Sequence, residues 1–561
     1  MFSSMTIPPE TRTGAADAPP EPDHAGAQAI RGAASAGVRT MFTLSGAHVF
    51  PLYDGAVKVD VGMRLLDVRH EATAVFAAEA TGKLTRTPGF AVVTAGPGVT
   101  NALSPITQAY FAGAPLVVVG GRAPQANWGK GTLQELDQPP IFETVTKRSA
   151  TVVDGAETGP AVADAFALAG AAHRGPVFLD VPMDELFKIG TRPPATPTAP
   201  ERAPFDTEAI ARIAALLHAA ARPVLILGTD VWADGAERAA LELVEGLGLP
   251  VITNGMARGV IPGGHPLLAT KARRTALKVC DLVVVVGTPL DFRLGYGSFG
   301  PTGARAQVVH LADTPGQISA HATLADSVSG DLAAMLRALG EATTPGDWTE
   351  WVGRLRAEVG AAIVTDQELL QADNDPIHPA RIYGELLPRL TPEAVVIGDG
   401  GDFVSWAGRF IEPARPGGWL DPGPFGCLGA GLGAAIGAKV ARPDDPVVLL
   451  LGDGAAGMSL MDVDTLVRHN LPVVMVVGNN SAWGLEKHPM RMIYGYDVIT
   501  NLAPETRYDE VVRALGGAGE KVRRPGDIGP AIDRALAAGV PYLVNVMMDT
   551  EIAYPRATTG L

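Results

Sequence analysis

Cysteine is almost missing from this chain: Cys280 and Cys427 are the only two among 561 residues. So low a count excludes a disulfide framework and a thiolate metal centre, and it fits a reducing, cytoplasmic setting. Each lies in an apolar or glycine-rich run, as small buried hydrophobes do. Basic clusters are missing too. The chain has 45 Lys and Arg against 60 Asp and Glu, a net charge of −15, and no Lys/Arg stripe, so nucleic acid is not an expected partner. No stretch approaches the roughly 18 uninterrupted apolar residues of a membrane span. Residues 1–25 are Pro/Ala/Asp-rich, lack an apolar h-region and read as a loose tail, not a signal peptide. A soluble protein is expected.

The composition, 47% hydrophobic and 19% charged, is globular, and the length calls for about three to four domains. Short β-branched runs alternate with Ala-rich helical stretches, which predicts an α/β protein of three doubly wound parallel-sheet domains. Two breaks, TRPPATPTAPERAP (191–204) and EATTPGDW (341–348), leave pieces 26–190, 205–340 and 375–550, with a tail at 551–561. The first and third pieces repeat one layout. Residues 90–121 run from FAVVTA through Gly96-Pro97-Gly98 and a helix to PLVVVGG. Residues 446–480 run from PVVLLL through Gly452-Asp453-Gly454 and a helix to PVVMVVGNN. In the middle piece the strands PVLILG, PVITN, DLVVVVG and QVVHLAD alternate with helices, as in a doubly wound sheet that binds ligands at its strand ends.

Asp453 follows one buried strand and Asn480 ends the next, so a parallel βαβ unit places both on the same sheet edge. A carboxylate, an amide oxygen and the carbonyl of Ala482 form a hard all-oxygen set suited to Mg²⁺ that also binds water and phosphate. The small residues Gly454, Ala455, Ala456 and Gly457 open a helix whose free N–H groups can face a diphosphate. A lone G-D-G reads as a turn; here it is followed, after 24 residues, by Asn479-Asn480. That combination resembles the signature of thiamine diphosphate enzymes.

The resemblance implies a pyrimidine-binding domain at 26–190, a central nucleotide-binding-like domain at 205–340 and a diphosphate-binding domain at 375–550. It implies thiamine diphosphate and Mg²⁺ as cofactors, with Gly452, Asp453, Gly454, Ala455, Asn480, Ala482, Trp483 and Gly484 around the diphosphate and metal. The cofactor reacts only after its C2 loses a proton, which a carboxyl on N1′ promotes. Glu71, in LLDVRHE ahead of the helix ATAVFAAEATGKL, matches that role, although a Glu at a helix start also has a structural explanation through the dipole. Leu428, in Gly426-Cys427-Leu428-Gly429, matches the apolar support beneath the bent cofactor, and Asp399-Gly400-Gly401-Asp402, after the strand AVVIG, is expected on the diphosphate side. In this family each site joins the pyrimidine domain of one subunit to the diphosphate domain of another, so a homodimer or a dimer-of-dimers tetramer is expected.

Local stretches further resemble the 2-hydroxyacyl-CoA lyases of actinobacterial type. They imply cleavage of a 2-hydroxyacyl-CoA, an acyl-CoA thioester, to formyl-CoA and a ketone or aldehyde. Gln134, in GTLQELDQ, matches a substrate-facing loop residue. Glu486, in NSAWGLE, would take the 2-hydroxyl proton as the C1–C2 bond breaks, and its charge would repel a substrate carboxylate. His48 is a further candidate on the substrate side. NGMARG, Ala272-Arg273 and TPLDFRL resemble a central domain that holds ADP, with Arg273 on its diphosphate and Asp313 on its ribose. Arg409 and Arg415 are candidates for the coenzyme A phosphates, and the tail 551–561 for a cover over the site. The alternatives are an acetolactate synthase-like carboligase and an oxalyl-CoA decarboxylase; a non-catalytic relative would have lost Glu71, Asp453 or Asn480, and all three are present.

Overall fold

The Val-rich runs become strands buried almost end to end, because helices cover both faces of each parallel sheet. The protein is described here by a computed structural model covering residues 23–194 and 204–555. Most of the expected N-terminal tail (1–22), most of the first break (195–203) and residues 556–561 lie outside the described residues. One boundary shifts. The first helix, Ala25–Ser35, begins on the last residue of the expected tail, and the His24 side chain caps it by accepting from the Ala27 amide.

The first sheet contains β1 (Thr40–Thr43), β2 (Arg64–Asp67), β3 (Gly89–Val93), β4 (Leu116–Arg122), β5 (Arg148–Thr151) and β6 (Pro176–Pro182). The second contains β7 (Pro223–Leu227), β8 (Val251–Thr253), β9 (Leu282–Val286), β10 (Gln307–Ala312) and β11 (Asp326–Ser329). The third contains β12 (Val395–Asp399), β13 (Trp419–Leu420), β14 (Val447–Gly452), β15 (Val474–Asn479), β16 (Ala518–Val522) and β17 (Tyr542–Met547). Spatial order is β2-β1-β3-β4-β6-β5 in the first sheet and β13-β12-β14-β15-β17-β16 in the third; the second runs β11-β10-β9-β7-β8. The first and third sheets therefore share one order. The repeated βαβ layout of the sequence is part of a repeated six-stranded sheet, and equivalent strands present equivalent edges.

Two helices bring these sheets together within one chain: α1 (Glu71–Thr85) lies along α2 (Gly431–Ala441). Both are rich in Ala and Gly, which lets their backbones approach. A Cβ on Gly433 would fall 2.6 Å from the Phe76 Cβ, and one on Gly437 only 2.2 Å from the Ala77 carbonyl oxygen. Asp462 reinforces the contact by accepting from the Arg69 amide at 2.8 Å and the Thr73 hydroxyl at 2.6 Å. The helix expected after Asp453 is broken: α3 (Asp453–Ser459) gives way to a tight turn at Leu460–Asp462 before Val463–Arg468. That break presents Asp462 to the first domain.

The central sheet is tied to the first by His173, whose Nδ1 lies 2.9 Å from Asp313, and by Arg174 on Asp234 at 2.9 Å. Arg258 ties it to the third, donating to the Gly408 carbonyl while its guanidinium stacks on Trp419. Among the described residues no helix is long and apolar enough to cross a membrane.

Candidate active site

Two clusters form at the C-terminal edges of the equivalent sheets, where parallel strands present ligands. On the first sheet, Glu71 is buried at the start of α1, and its Oε2 accepts from Asn101 Nδ2 at 3.0 Å. Its neighbour His70 caps the helix. Thr94, just past β3, is the centre of this edge: Cβ atoms on Gly46 and Gly98 would fall 2.3 and 2.8 Å from its side chain. His48 follows β1 and sets its Nδ1 3.3 Å from the Thr94 hydroxyl. Burial pushes its imidazole below the ordinary value, partly offset by the Leu133 backbone.

The loop after β4 delivers Gln134 at φ +61°, with its side chain against Gly96, where an added Cβ would lie 2.9 Å from the Gln134 Cβ. Gln138 pins this loop. Its Oε1 accepts from the Gly96 amide at 2.9 Å, and its Nε2 donates to Asp180 at 2.8 Å and to the Gly121 carbonyl at 3.0 Å. Glu71, His48 and Gln134 thus share one edge, around the Gly96–Gly98 turn. Asn101, Thr94 and Gln138 escaped the sequence reading because hydroxyl and amide side chains near a G-P-G turn carry no periodic signal.

On the third sheet, Asp453 starts α3 directly after β14 and is buried. Its Oδ1 accepts from the Gly454 amide at 3.1 Å, while its Oδ2 is buried without a hydrogen-bond partner. Burial pushes this carboxyl up to about 6, although the amides of Gly454, Ser481 and Ala482 pull it down. Asn480 follows β15, and its Oδ1 accepts from the Ala482 amide at 3.2 Å. The two asparagines divide their roles: Asn479 is bonded to Asn545, Ser481 and the Thr506 carbonyl, which leaves Asn480 for the loop beside Asp453.

Trp483 lays its ring on the first turn of α3, where a Cβ at Gly454 would fall 2.3 Å from it; Ala455 is buried behind. Gly484 opens α4 (Gly484–Tyr494), and a Cβ there would come 2.9 Å from Asp402 and 3.5 Å from Asn480 Nδ2. Gly400 adopts φ +139°, and its Cβ would meet the Gly452 amide at 3.0 Å; one on Gly401 would strike Leu485 at 2.4 Å. Gly400, Gly401, Gly452 and Gly484 leave backbone, not side chain, along this edge. Leu428 is half-buried in the turn before α2. Asp399, just before Gly400, turns its carboxylate away from this edge, to the amides of Gly429 and Gly431.

Profiles for the N-terminal TPP binding domain, the central domain and the C-terminal TPP binding domain of thiamine pyrophosphate enzymes match residues 24–141, 210–339 and 399–546. The chain belongs to the thiamine pyrophosphate enzymes. A probable acetolactate synthase of Mycobacterium bovis is 48% identical over 96% of this chain and 98% of its own length. The 2-hydroxyacyl-CoA lyase 2 of Caenorhabditis elegans is 36% identical over 86% of this chain and 82% of its own; the human protein of that name is 33% identical over 91% and 88%.

The residues present fit the family's cofactor. A buried, unpartnered carboxylate oxygen on Asp453 beside an amide-bearing Asn480 is the donor set that a hard divalent cation with a diphosphate would complete. The two clusters belong to different sheets of the chain: the Glu71 carboxylate bonds Asn101, the Asp453 carboxylate the Gly454 amide, and the Asn480 amide oxygen the Ala482 amide.

Glu486 is exposed on the first turn of α4, while its neighbour Lys487 is buried and donates to Asn501 at 3.0 Å. A cavity of about 390 Å³ lies where the three domains meet, bordered by Lys83, Lys147, Arg174 and Arg293. Arg273 is not among its lining residues; it is half-buried and donates to the Arg293 carbonyl at 2.8 Å. Asp313 gives its carboxylate to His173. Arg409 pairs with Asp366 at 2.8 Å and stacks on Trp406 and Phe410, and Arg415 pairs with Asp445 and the Glu393 carbonyl. Both arginines thus serve internal ion pairs. Cys427 is half-buried and not fully inside as expected, because the turn that carries it lies at the surface. At the C-terminus, the Tyr554 amide donates to Asp402 at 2.9 Å and Glu551 pairs with Arg491 of α4 at 2.7 Å.

Proposed function

We propose that this thiamine diphosphate enzyme forms or breaks a carbon–carbon bond next to a carbonyl, and that acetolactate synthase-like joining of 2-oxo acids is its reaction. The observation that carries the cofactor chemistry is the orphaned Oδ2 of Asp453 on one sheet edge, matched by buried Glu71 on the equivalent edge. When bound, thiamine diphosphate supplies a carbanion that adds to a carbonyl and stores the electrons released from the broken bond. Asp453, Asn480 and the Ala482 carbonyl would hold Mg²⁺ and the diphosphate, and Leu428 would support the bend. Glu71 would hold the proton at N1′ that activates C2. His48 and Gln134, on the Glu71 edge, would hydrogen-bond the substrate oxygens.

Because Glu71 and Asp453 lie on separate edges within one chain, the site is proposed to join two subunits. The 48% identity to mycobacterial proteins named acetolactate synthase, over nearly the whole chain, supports the carboligase. It reverses the preference drawn from local motifs.

The second reading, cleavage of a 2-hydroxyacyl-CoA to formyl-CoA and a carbonyl compound, has a specific observation in its favour. Glu486 stands exposed two residues past Gly484, beside the metal loop, where it can take a hydroxyl proton and would repel a 2-oxo acid. Relatives named 2-hydroxyacyl-CoA lyase 2, at 31–36% identity, support it too. A bound ADP belongs to this reading. Its phosphates would face Arg174, Lys147 and Arg293 in the three-domain cavity, not Arg273.

The test is product analysis. With pyruvate alone, the carboligase reading requires acetolactate; with formyl-CoA and a ketone, the lyase reading requires a 2-hydroxyacyl-CoA. Formation of the second product without the first would overturn the carboligase assignment.

A further inference from the structure

Asp399 is the last residue of β12, has no exposed surface and carries a carboxylate whose hydrogen bonds go to backbone. Its Oδ1 accepts from the Gly429 amide at 3.1 Å and its Oδ2 from the Gly431 amide at 2.7 Å. These amides stand at the N-terminus of α2, which runs for 11 residues with Ala430 as its cap and no side-chain cap of its own. An anion placed there satisfies orphan N–H groups and meets the positive end of the helix dipole. Burial pushes the carboxyl up to about 6, and the two amides hold it down. The fit is close: a Cβ on Gly431 would fall 2.6 Å from the Asp399 Cβ.

What Asp399 joins gives it a role. The turn it grips, Gly426–Gly429, has φ +72° and +79° at its two glycines and carries Leu428. The residues after it, Gly400 and Gly401, line the edge beside Gly452, next to Asp453. One buried carboxylate therefore spans the segment that would support the cofactor's bend and the segment that would receive its diphosphate.

We infer that Asp399 is a positioning residue: by clamping Gly429 and Gly431 to the end of β12, it fixes the turn that carries Leu428, the side chain that would support the cofactor. This rests on the thiamine diphosphate reading of the site. The clamp acts on geometry and not on affinity, because Asp453 and Asn480 anchor the cofactor independently.

Asp399→Asn keeps the shape but turns an amide N–H₂ toward one of the two donors, so one bond is lost. In the cofactor-free protein, amide hydrogen exchange at Gly429 and Gly431 should accelerate by about tenfold or more. With thiamine diphosphate and Mg²⁺, the dissociation constant should stay within about threefold, while exchange of the cofactor's C2 proton, followed by NMR, slows by about tenfold or more. Leu428→Ala should slow C2 exchange similarly, and the double variant should be no slower than the worse single one.

Wild-type C2 exchange in Asp399→Asn, or fully additive losses in the double variant, would overturn the clamp. If Asp399→Asn fails to fold, Asp399→Glu carries the test: charge is kept, the clamp is one methylene longer, and slowed C2 exchange at unchanged affinity is required. A wild-type protein that neither binds the cofactor nor accelerates its C2 exchange would instead sink the underlying reading.

Discussion

Asp453 holds one carboxylate oxygen away from water with no partner, an arrangement that costs stability and that a bound cation would relieve. Asp453→Asn should therefore weaken binding of Mg²⁺ and thiamine diphosphate by about a hundredfold or more, measured by calorimetry. The same change should raise the melting temperature of the cofactor-free protein at neutral pH, because it removes a buried charge. Glu71 offers the complementary case. Its carboxyl is buried and held by Asn101, so Glu71→Gln should leave cofactor affinity within a few-fold while kcat falls by about 10²–10⁴, the range of a proton-transfer group. Full activity in that variant would remove the N1′ role. Their placement, each after an apolar strand and at the start of a helix, was legible in the sequence; the roles expected of them came from the resemblance. Asn101, Thr94 and Gln138 were not: their role is to hold other residues, and only the folded loops bring them there.

At the level of elements, α1 and α2 decide how the first and third domains meet. Gly437 faces the Ala77 carbonyl closely enough that any side chain must push the helices apart. Gly437→Leu should cost about 1–3 kcal/mol by overpacking, seen as a lower denaturation midpoint, whereas Gly457→Ala, where a Cβ meets open space, should be far milder on thermal melting. The central strands of each sheet were readable from hydrophobic runs, since a parallel strand covered on both faces is apolar throughout, whereas edge strands such as β5 (RSAT) and β11 (DSVS) carry too few apolar residues to show. The broken helix after Asp453 was not, because nothing in GAAGMSLMDVDTLVRHN predicts that Asp462 will turn out to bind Arg69 and Thr73 of another domain.

For the whole molecule, the proposed two-chain site makes a sharp forecast. Glu71→Gln and Asp453→Asn chains, each inactive alone, should regain about a quarter of wild-type activity when refolded together, because half of the randomly paired dimers then contain one intact site. No recovery would mean that both halves come from one chain. A second forecast concerns the junction of the first and central domains. Burial alone would depress the His173 imidazole, but Asp230 and Asp313 overcome it and hold the group above 6.5; Lys147, itself pushed down to about 8 by burial, opposes them. A raised histidine stabilises fully below its unfolded value and loses that contribution as pH rises through its folded one. The melting-temperature gap between wild type and His173→Gln should accordingly narrow as pH rises from neutral toward 9.

What the amino-acid sequence determined by itself was local and covalently close: which runs form buried parallel strands, which residues end them, and hence that Asp453 and Asn480 share one edge and Glu71 stands on another. Those follow from period, strand length and the fixed handedness of βαβ connections. Only the tertiary structure decided what long-range packing controls. It turned Asp399 toward the Leu428 turn and not toward the diphosphate side, spent Arg409 and Arg415 on internal ion pairs, and bordered the three-domain cavity with Arg174 and Arg293 in place of Arg273. A charged side chain's partner depends on which surfaces meet, and that geometry has no counterpart in the spacing of residues along the chain.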